Sequence, residues 1–182
     1  MTRTTSITAA LSARIAAACV DGPFTLADGQ VLDSYFDEFR LAGDPRLLHD
    51  VAKAMHALVP AGAEVLAGVE LGGIPLVVAL SAATGLPAAF LRRLPKSYGS
   101  QQQIEGTPVE GRHVVLIDDV VRSGGQLLAM AHVLRVAGGH ISDALCILER
   151  PLGGKVSLDE HSIALGSLLH ENDLLASARA AS

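Results

Sequence analysis

At 182 residues, 49% of them hydrophobic, the chain is long enough to bury one domain core with room for a small attached subdomain. Its formal charge of -5 excludes a sequence-independent nucleic-acid binder, which needs a basic face, but leaves room for a local basic pocket. Aromatic residues are only 3% and tryptophan is absent, so the core has to be built from Ala, Val, Leu and Ile, as in sheets covered by helices.

Residues 4–20 are Ala-rich with Arg14 interrupting them, which predicts a helix and not a secretory leader. Residues 24–39 read as short strands, with Asp28-Gly29 supplying a turn. Asp44 followed by Pro45 is an N-cap with proline at the first helical position. Leu47, Leu48, Val51, Met55, Leu58 and Val59 then recur at helical spacing, until Pro60 and Gly62 end the helix. From there strand and helix alternate. Strands are expected at 65–69, 88–91, 114–118, 144–148 and 162–168, and helices at 74–84, after Gly72-Gly73, and at 126–136, before Gly138-Gly139. A polar segment, 92–111, interrupts the pattern. Such alternation predicts an α/β fold with right-handed crossovers and a mainly parallel sheet flanked by helices. Ligands on these sheets sit at the carboxyl ends of the strands, which here are 70–73, 118–125 and 149–154.

The apolar runs are too short to span a bilayer. Cys19 and Cys146 lack CxxC spacing and read as buried thiols of a reducing compartment, and the seven histidines lack zinc-site spacing. A cytoplasmic protein without membrane or nucleic-acid partners is expected.

The strongest local signal is Val114-Val115-Leu116-Ile117-Asp118-Asp119-Val120-Val121-Arg122-Ser123-Gly124-Gly125, followed by Gln126. Four apolar residues carry a strand out of the core, two carboxylates stand at its end, and a Ser-Gly-Gly turn opens a helix. The N–H groups of such a turn, with the helix N-terminus, make an anion site. The adjacent carboxylates can accept hydrogen bonds from vicinal hydroxyls, so a ribose 5-phosphate satisfies both halves. The plain alternative is a helix cap with two solvated acids. A Walker loop and a dinucleotide fingerprint are both excluded, because neither glycine pattern is present.

This segment resembles the ribose-phosphate signature of type I phosphoribosyltransferases. By that resemblance Asp118 and Asp119 bind the ribose hydroxyls of 5-phosphoribosyl-1-pyrophosphate, and Val120, Val121, Arg122, Ser123, Gly124, Gly125 and Gln126 surround its 5-phosphate. Arg122 stands where orotate enzymes commonly carry threonine, and Gln126 where a small or hydroxyl residue is usual.

Three further segments narrow the resemblance to orotate phosphoribosyltransferases. Arg92-Arg93-Leu94-Pro95-Lys96-Ser97-Tyr98-Gly99 places three cations within five residues, and these repel one another unless an anion or solvent stands between them. Arg92, Lys96, Tyr98 and Gly99 match the family's mobile loop, which reaches the pyrophosphate in a neighbouring subunit; Arg93 takes the place of a lysine. Gly68-Val69-Glu70-Leu71-Gly72-Gly73 resembles the pyrophosphate loop, with Gly72 allowing close backbone approach, though tight helix-on-sheet packing explains its glycines equally well. Leu148-Glu149-Arg150-Pro151-Leu152-Gly153-Gly154 resembles the segment whose arginine holds the carboxylate of orotate; a structural salt bridge is the alternative for Arg150.

Phe24-Thr25-Leu26 and Tyr35-Phe36-Asp37 resemble the small N-terminal hood, with Ala27 in place of a lysine. The implied division is an N-terminal helix and hood segment over 1–42 and an α/β core over 43–182, in one compact domain.

The resemblance implies transfer of phosphoribosyl to orotate, with Lys96, Arg92, Arg93, Asp118 and Asp119 as the catalytic set. Arg150 and Arg122 would face orotate. Mg2+ would be held mainly by substrate and water, and a homodimer would share its active sites. Rival readings are a transferase of the same fold acting on another base, a non-catalytic regulator that binds the phosphoribosyl donor, and a nucleotide-binding structural subunit.

Overall fold

Alternate residues of the central strands enter two different apolar clusters, so one sheet is buried on both faces. Leu66, Val115, Ile117, Leu145 and Ile147 belong to one cluster; Val65, Ala67, Leu116, Ala144 and Cys146 belong to the other. This period of two, with apolar residues at both phases, is what a covered parallel sheet requires. The computed structural model describes residues 3–4, 7–25, 29, 31–95, 102–174 and 176.

The elements in order are β1 (Arg3–Thr4), α1 (Ala9–Ala16), β2 (Cys19–Thr25), β3 (Val31–Phe36), α2 (Glu38–Ala42) and α3 (Pro45–His56). There follow β4 (Val65–Val69), α4 (Gly73–Thr84), β5 (Ala88–Leu91), β6 (Ile104–Gly106), β7 (His113–Val121), α5 (Gly125–Val136), β8 (His140–Glu149), α6 (Gly154–Glu160) and β9 (Ala164–His170). Seven strands form one sheet in the order β1-β9-β8-β7-β4-β5-β6, while β2 and β3 form a separate antiparallel pair. Every pairing in the large sheet is parallel except β5 with β6. Residues of α1, α3 and α4 such as Ile15, Val51, Met55, Leu76 and Leu80 fill one cluster; Leu127, Met130 and Leu134 of α5 and Leu158 of α6 fill the other. The fold is the expected α/β architecture with a small antiparallel hood.

The helix expected over 4–20 is divided. Thr4 pairs with Ser167 at the sheet edge, the Thr8 hydroxyl caps α1 by accepting from Leu11 N–H at 3.2 Å, and Cys19 already lies in β2, opposite Phe36. Alanine favours helix locally, but strand partners distant in sequence decide both ends. The hood strand begins at Cys19 and not at Phe24, because the irregularity between Asp21 and Phe24 hides its alternation.

The polar segment contains β6, an edge strand short enough to escape pattern reading. Two short helices, α2 and α6, were also not expected. The N-cap of α6 is Gly153 at φ 83, a conformation glycine adopts without a steric penalty. The anticipated N-cap at Asp44 is present: its carboxylate accepts from Arg46 and Leu47 N–H at 2.9 and 3.0 Å. The Leu47 bond leads the causes that hold its carboxyl below the usual range.

Candidate active site

β7 continues beyond the aspartates to Val121, itself a core residue, and Val120 and Val121 pair with Leu148 and Glu149 of β8. The strand is thus longer than the apolar run 114–118 suggested, and both aspartates stand inside its last stretch. Asp118 is only 4% exposed, whereas Asp119 is half-buried. Burial pushes the Asp118 carboxyl well above the usual range, and the adjacent Asp119 charge adds to it. Backbone bonds fix the two groups: Asp119 N–H donates to Asp118 Oδ1 at 3.0 Å, and Val120 N–H donates to Asp119 Oδ1 at 2.8 Å.

The turn after β7 is held by close backbone packing. Gly124 is the N-cap of α5 at φ 78, and a Cβ there would stand 3.0 Å from the carbonyl oxygen of Gly154. A Cβ on Gly154 would in turn overlap the carbonyl oxygen of Arg122. Gly154 therefore seats the start of α6 against the turn. On the other side of β7, a Cβ on Gly72 would overlap the Asp119 carboxylate.

The two aspartates and the turn open onto one cleft of about 310 Å³, which Gly72 does not line. Asp118, Asp119, Val120, Val121, Arg122, Ser123, Gly124, Gly125 and Gln126 line it from the β7–α5 connection, and Arg150 from the end of β8. The hood lines it with Tyr35, Phe36 and Glu38. Tyr35 and Glu38 were not singled out from the sequence as site residues. The usable signal was Asp37, whose carboxylate accepts from Phe39 and Arg40 N–H at 3.0 Å and so starts α2 with Glu38 in its first turn. Tyr35 O–H donates to Glu38 Oε2 at 3.3 Å. Burial raises both groups' pKa values; the Glu38 charge adds to the rise at Tyr35, and the Asp119 charge to that at Glu38. Arg122 lies within electrostatic reach of Tyr35 and opposes its rise.

Arg92 and Arg93 do not line the cleft. Arg92 Nε lies 3.6 Å from Glu105 Oε1, and Arg93 Nε 3.8 Å from Glu70 Oε1, which also accepts from Arg93 N–H at 2.7 Å. Gln103 closes the base of their segment: it accepts from Arg92 N–H at 2.9 Å, and its amide donates to the carbonyls of Arg92 and Arg93 at 2.9 and 3.0 Å. Gln126 Nε2 donates to the Glu70 carbonyl at 3.4 Å, joining the β4–α4 turn to the start of α5. Lys96 and Tyr98 lie outside the described residues. Arg150 Nη1 is 2.5 Å from Glu171 Oε1.

Carboxylate oxygens at a strand end are hard donors of the kind magnesium takes, but two of them do not fill its octahedral shell. Among the described residues no group of three or more His, Cys, Asp or Glu side chains could hold a metal ion by itself. None of the described helices is long and apolar enough to cross a membrane.

Comparison with known proteins agrees with this geometry. The family model described as a phosphoribosyl transferase domain matches residues 45–160. The chain is 37% identical over 170 residues to an orotate phosphoribosyltransferase of Nocardioides sp., covering 93% of this chain and 95% of that protein. It is 39% identical over 153 residues to the Methanopyrus kandleri protein of the same name, covering 84% and 82%. Among solved structures, orotate phosphoribosyltransferase from Mycobacterium tuberculosis H37Rv in complex with inorganic phosphate superposes with a TM-score of 0.80 at 25% identity, covering 91% of this chain and 96% of that one. The Aeropyrum pernix enzyme gives a TM-score of 0.78 at 28% identity, with 90% and 93% covered. With residues 45–160 matched by the family model and nearly its whole length covered by relatives of that name, the chain belongs to the type I phosphoribosyltransferase family, among the orotate phosphoribosyltransferases.

Proposed function

We propose that the protein transfers the phosphoribosyl group of 5-phosphoribosyl-1-pyrophosphate to orotate, giving orotidine 5'-phosphate and pyrophosphate. The observation that carries this reading is one cleft that joins paired strand-end aspartates, a glycine turn opening a helix, and a buried arginine. Asp118 and Asp119 accept hydrogen bonds from the ribose hydroxyls. The N–H groups of Ser123, Gly124 and Gly125, with the N-terminus of α5, bind the 5-phosphate. Arg150 pairs with the carboxylate of orotate, since a planar guanidinium fork matches a carboxylate. Arg122 adds a second cation beside the acceptor, partly replacing the charge that Ala27 lacks.

In the reaction the C1–oxygen bond to pyrophosphate breaks as a ring nitrogen of anionic orotate bonds to C1, and the electron pair leaves with pyrophosphate. The main task of the protein is to stabilise charge on that leaving group. Gly72 allows the backbone near it, and Lys96, Arg92 and Arg93 bring cations when the loop closes and excludes water. Magnesium, held mainly by donor and water at the Asp118–Asp119 end of the sheet, neutralises pyrophosphate charge when bound. The loop of one subunit serves its neighbour in a homodimer, residues 1–42 carry the hood together with β1 and α1, which join the core of 43–182, and the protein works in the cytoplasm.

Turnover of a panel of bases by the purified protein tests the acceptor. Orotate should be consumed in strict dependence on the donor, while uracil, adenine, guanine and hypoxanthine should be poor acceptors. Efficient use of one of these, with orotate inert, would overturn the assignment.

A further inference from the structure

Arg150 is a buried cation held at one corner. Its side chain is 10% exposed, and its Nη1 lies 2.5 Å from Oε1 of Glu171, whose own side chain is 25% exposed. Nε is shut off from solvent and has no hydrogen-bond acceptor among the described residues. A guanidinium carries five N–H donors in a rigid fork, so one carboxylate on one nitrogen leaves its other edge unmatched. The donors on the Nη side of the fork are therefore the ones a ligand in the cleft can reach.

Among the described residues no other carboxylate pairs with the guanidinium. Arg150 stands where β8 leaves the sheet and lines the substrate cleft. It also lines a second cavity of about 200 Å³ with Glu149, His170 and Glu171. Glu149 is the other carboxylate there, but it is engaged with β9: Ser167 Oγ donates to its Oε2 at 3.3 Å, and His170 Nδ1 lies 3.4 Å from the same oxygen. Among the described residues Glu171 alone pairs with the guanidinium, from the helical turn 171–174 that follows β9.

We infer that Glu171 is a positioning residue for the acceptor, holding Arg150 by Nη1 at the edge of the cleft and leaving its remaining Nη donors for the carboxylate of orotate. The inference rests on the assignment of Arg150 to the acceptor carboxylate under the proposed function. Glu171 does not touch substrate. It fixes the rotamer of the residue that does, and its charge offsets the burial of a cation that is otherwise unpaired when the cleft is empty.

The test is steady-state kinetics with orotate and donor varied separately, on Glu171→Ala, Glu171→Gln, Arg150→Ala and the Glu171→Ala/Arg150→Ala double variant. Thermal midpoints and calorimetric donor binding are measured alongside. Glu171→Ala should raise the KM for orotate about tenfold, the scale of one charge-assisted hydrogen bond, and leave kcat and donor KM nearly unchanged. Glu171→Gln keeps an acceptor oxygen and should recover most of the loss. In the Arg150→Ala background, Glu171→Ala should add nothing further. If Arg150→Ala raises the orotate KM but Glu171→Ala leaves it unchanged or lowers it, the positioning role is overturned and the role of Arg150 stands. If Arg150→Ala leaves the orotate KM unchanged, the acceptor assignment fails and the inference with it. A Glu171→Ala protein whose two KM values and midpoint all worsen, equally with and without Arg150, assigns Glu171 to folding and also overturns the inference.

Discussion

The Asp119 carboxylate occupies the space that a side chain on residue 72 would need, so that position has to be glycine while Asp119 keeps its place. The backbone of Gly72 is in the ordinary right-handed region, at φ -65 and ψ -32, so alanine there meets no backbone penalty. Gly72→Ala should therefore act through Asp119. We predict at least about a tenfold loss of donor affinity by calorimetry, on the scale of one hydrogen bond to a charged group, with little change in thermal midpoint. Unaltered donor binding would show that Asp119 can move without consequence.

Replacing both strand-end acids by asparagine removes their negative charge and exchanges one acceptor oxygen of each for a donor, which spoils the pairing proposed for the ribose hydroxyls. Asp118→Asn/Asp119→Asn should abolish measurable donor binding while circular dichroism remains that of the folded protein. Near-normal donor affinity would remove the central assignment.

Asp118 has a second, thermodynamic signature. Its folded pKa is raised by burial and by the Asp119 charge, so the folded state holds this proton more tightly than the unfolded chain does. Stability from this group is therefore complete below the ordinary carboxyl pKa and declines as pH rises through the folded value. Asparagine does not titrate. Asp118→Asn should melt above the wild type at neutral pH, on the order of a few degrees, with the gap closing in acid. A gap that stays constant with pH would mean that the carboxyl is not strained by ionisation.

Glu38 places an acid on the hood side of the cleft, with Asp119 and Tyr35 within electrostatic reach. It should repel an anionic acceptor once ionised. Glu38→Gln should lower the orotate KM about threefold at neutral pH, the size of a partly solvated charge interaction. The difference should shrink as pH falls through the raised Glu38 value and the wild-type side chain is neutralised. A KM unchanged across that range would place Glu38 away from the acceptor.

Shared sites predict complementation. Lys96→Ala subunits mixed with Asp118→Asn/Asp119→Asn subunits should recover part of the activity, because a heterodimer assembles one site with an intact loop and intact acids. No recovery after verified subunit exchange would place the loop in its own subunit's site.

Much of this protein follows from local pattern. The apolar runs 65–69 and 88–91 coincide with β4 and β5, and the Asp44-Pro45 cap starts α3, because burial on both sheet faces and helix capping leave their mark in adjacent residues. The aspartate pair and the glycine turn were legible for the same reason: strand end, acids and turn are contiguous, and nine consecutive residues, 118–126, line the cleft together. Other features had no such trace. Thr4 joins the sheet through Ser167, Glu38 reaches the cleft because the hood hairpin folds over it, and Arg150 is held by Glu171 across the β8–β9 connection. Local sequence chooses conformations residue by residue. Which distant groups meet, and so which carboxylates face the cleft and which cation is buried beside it, is decided when the strands stack and desolvate one another.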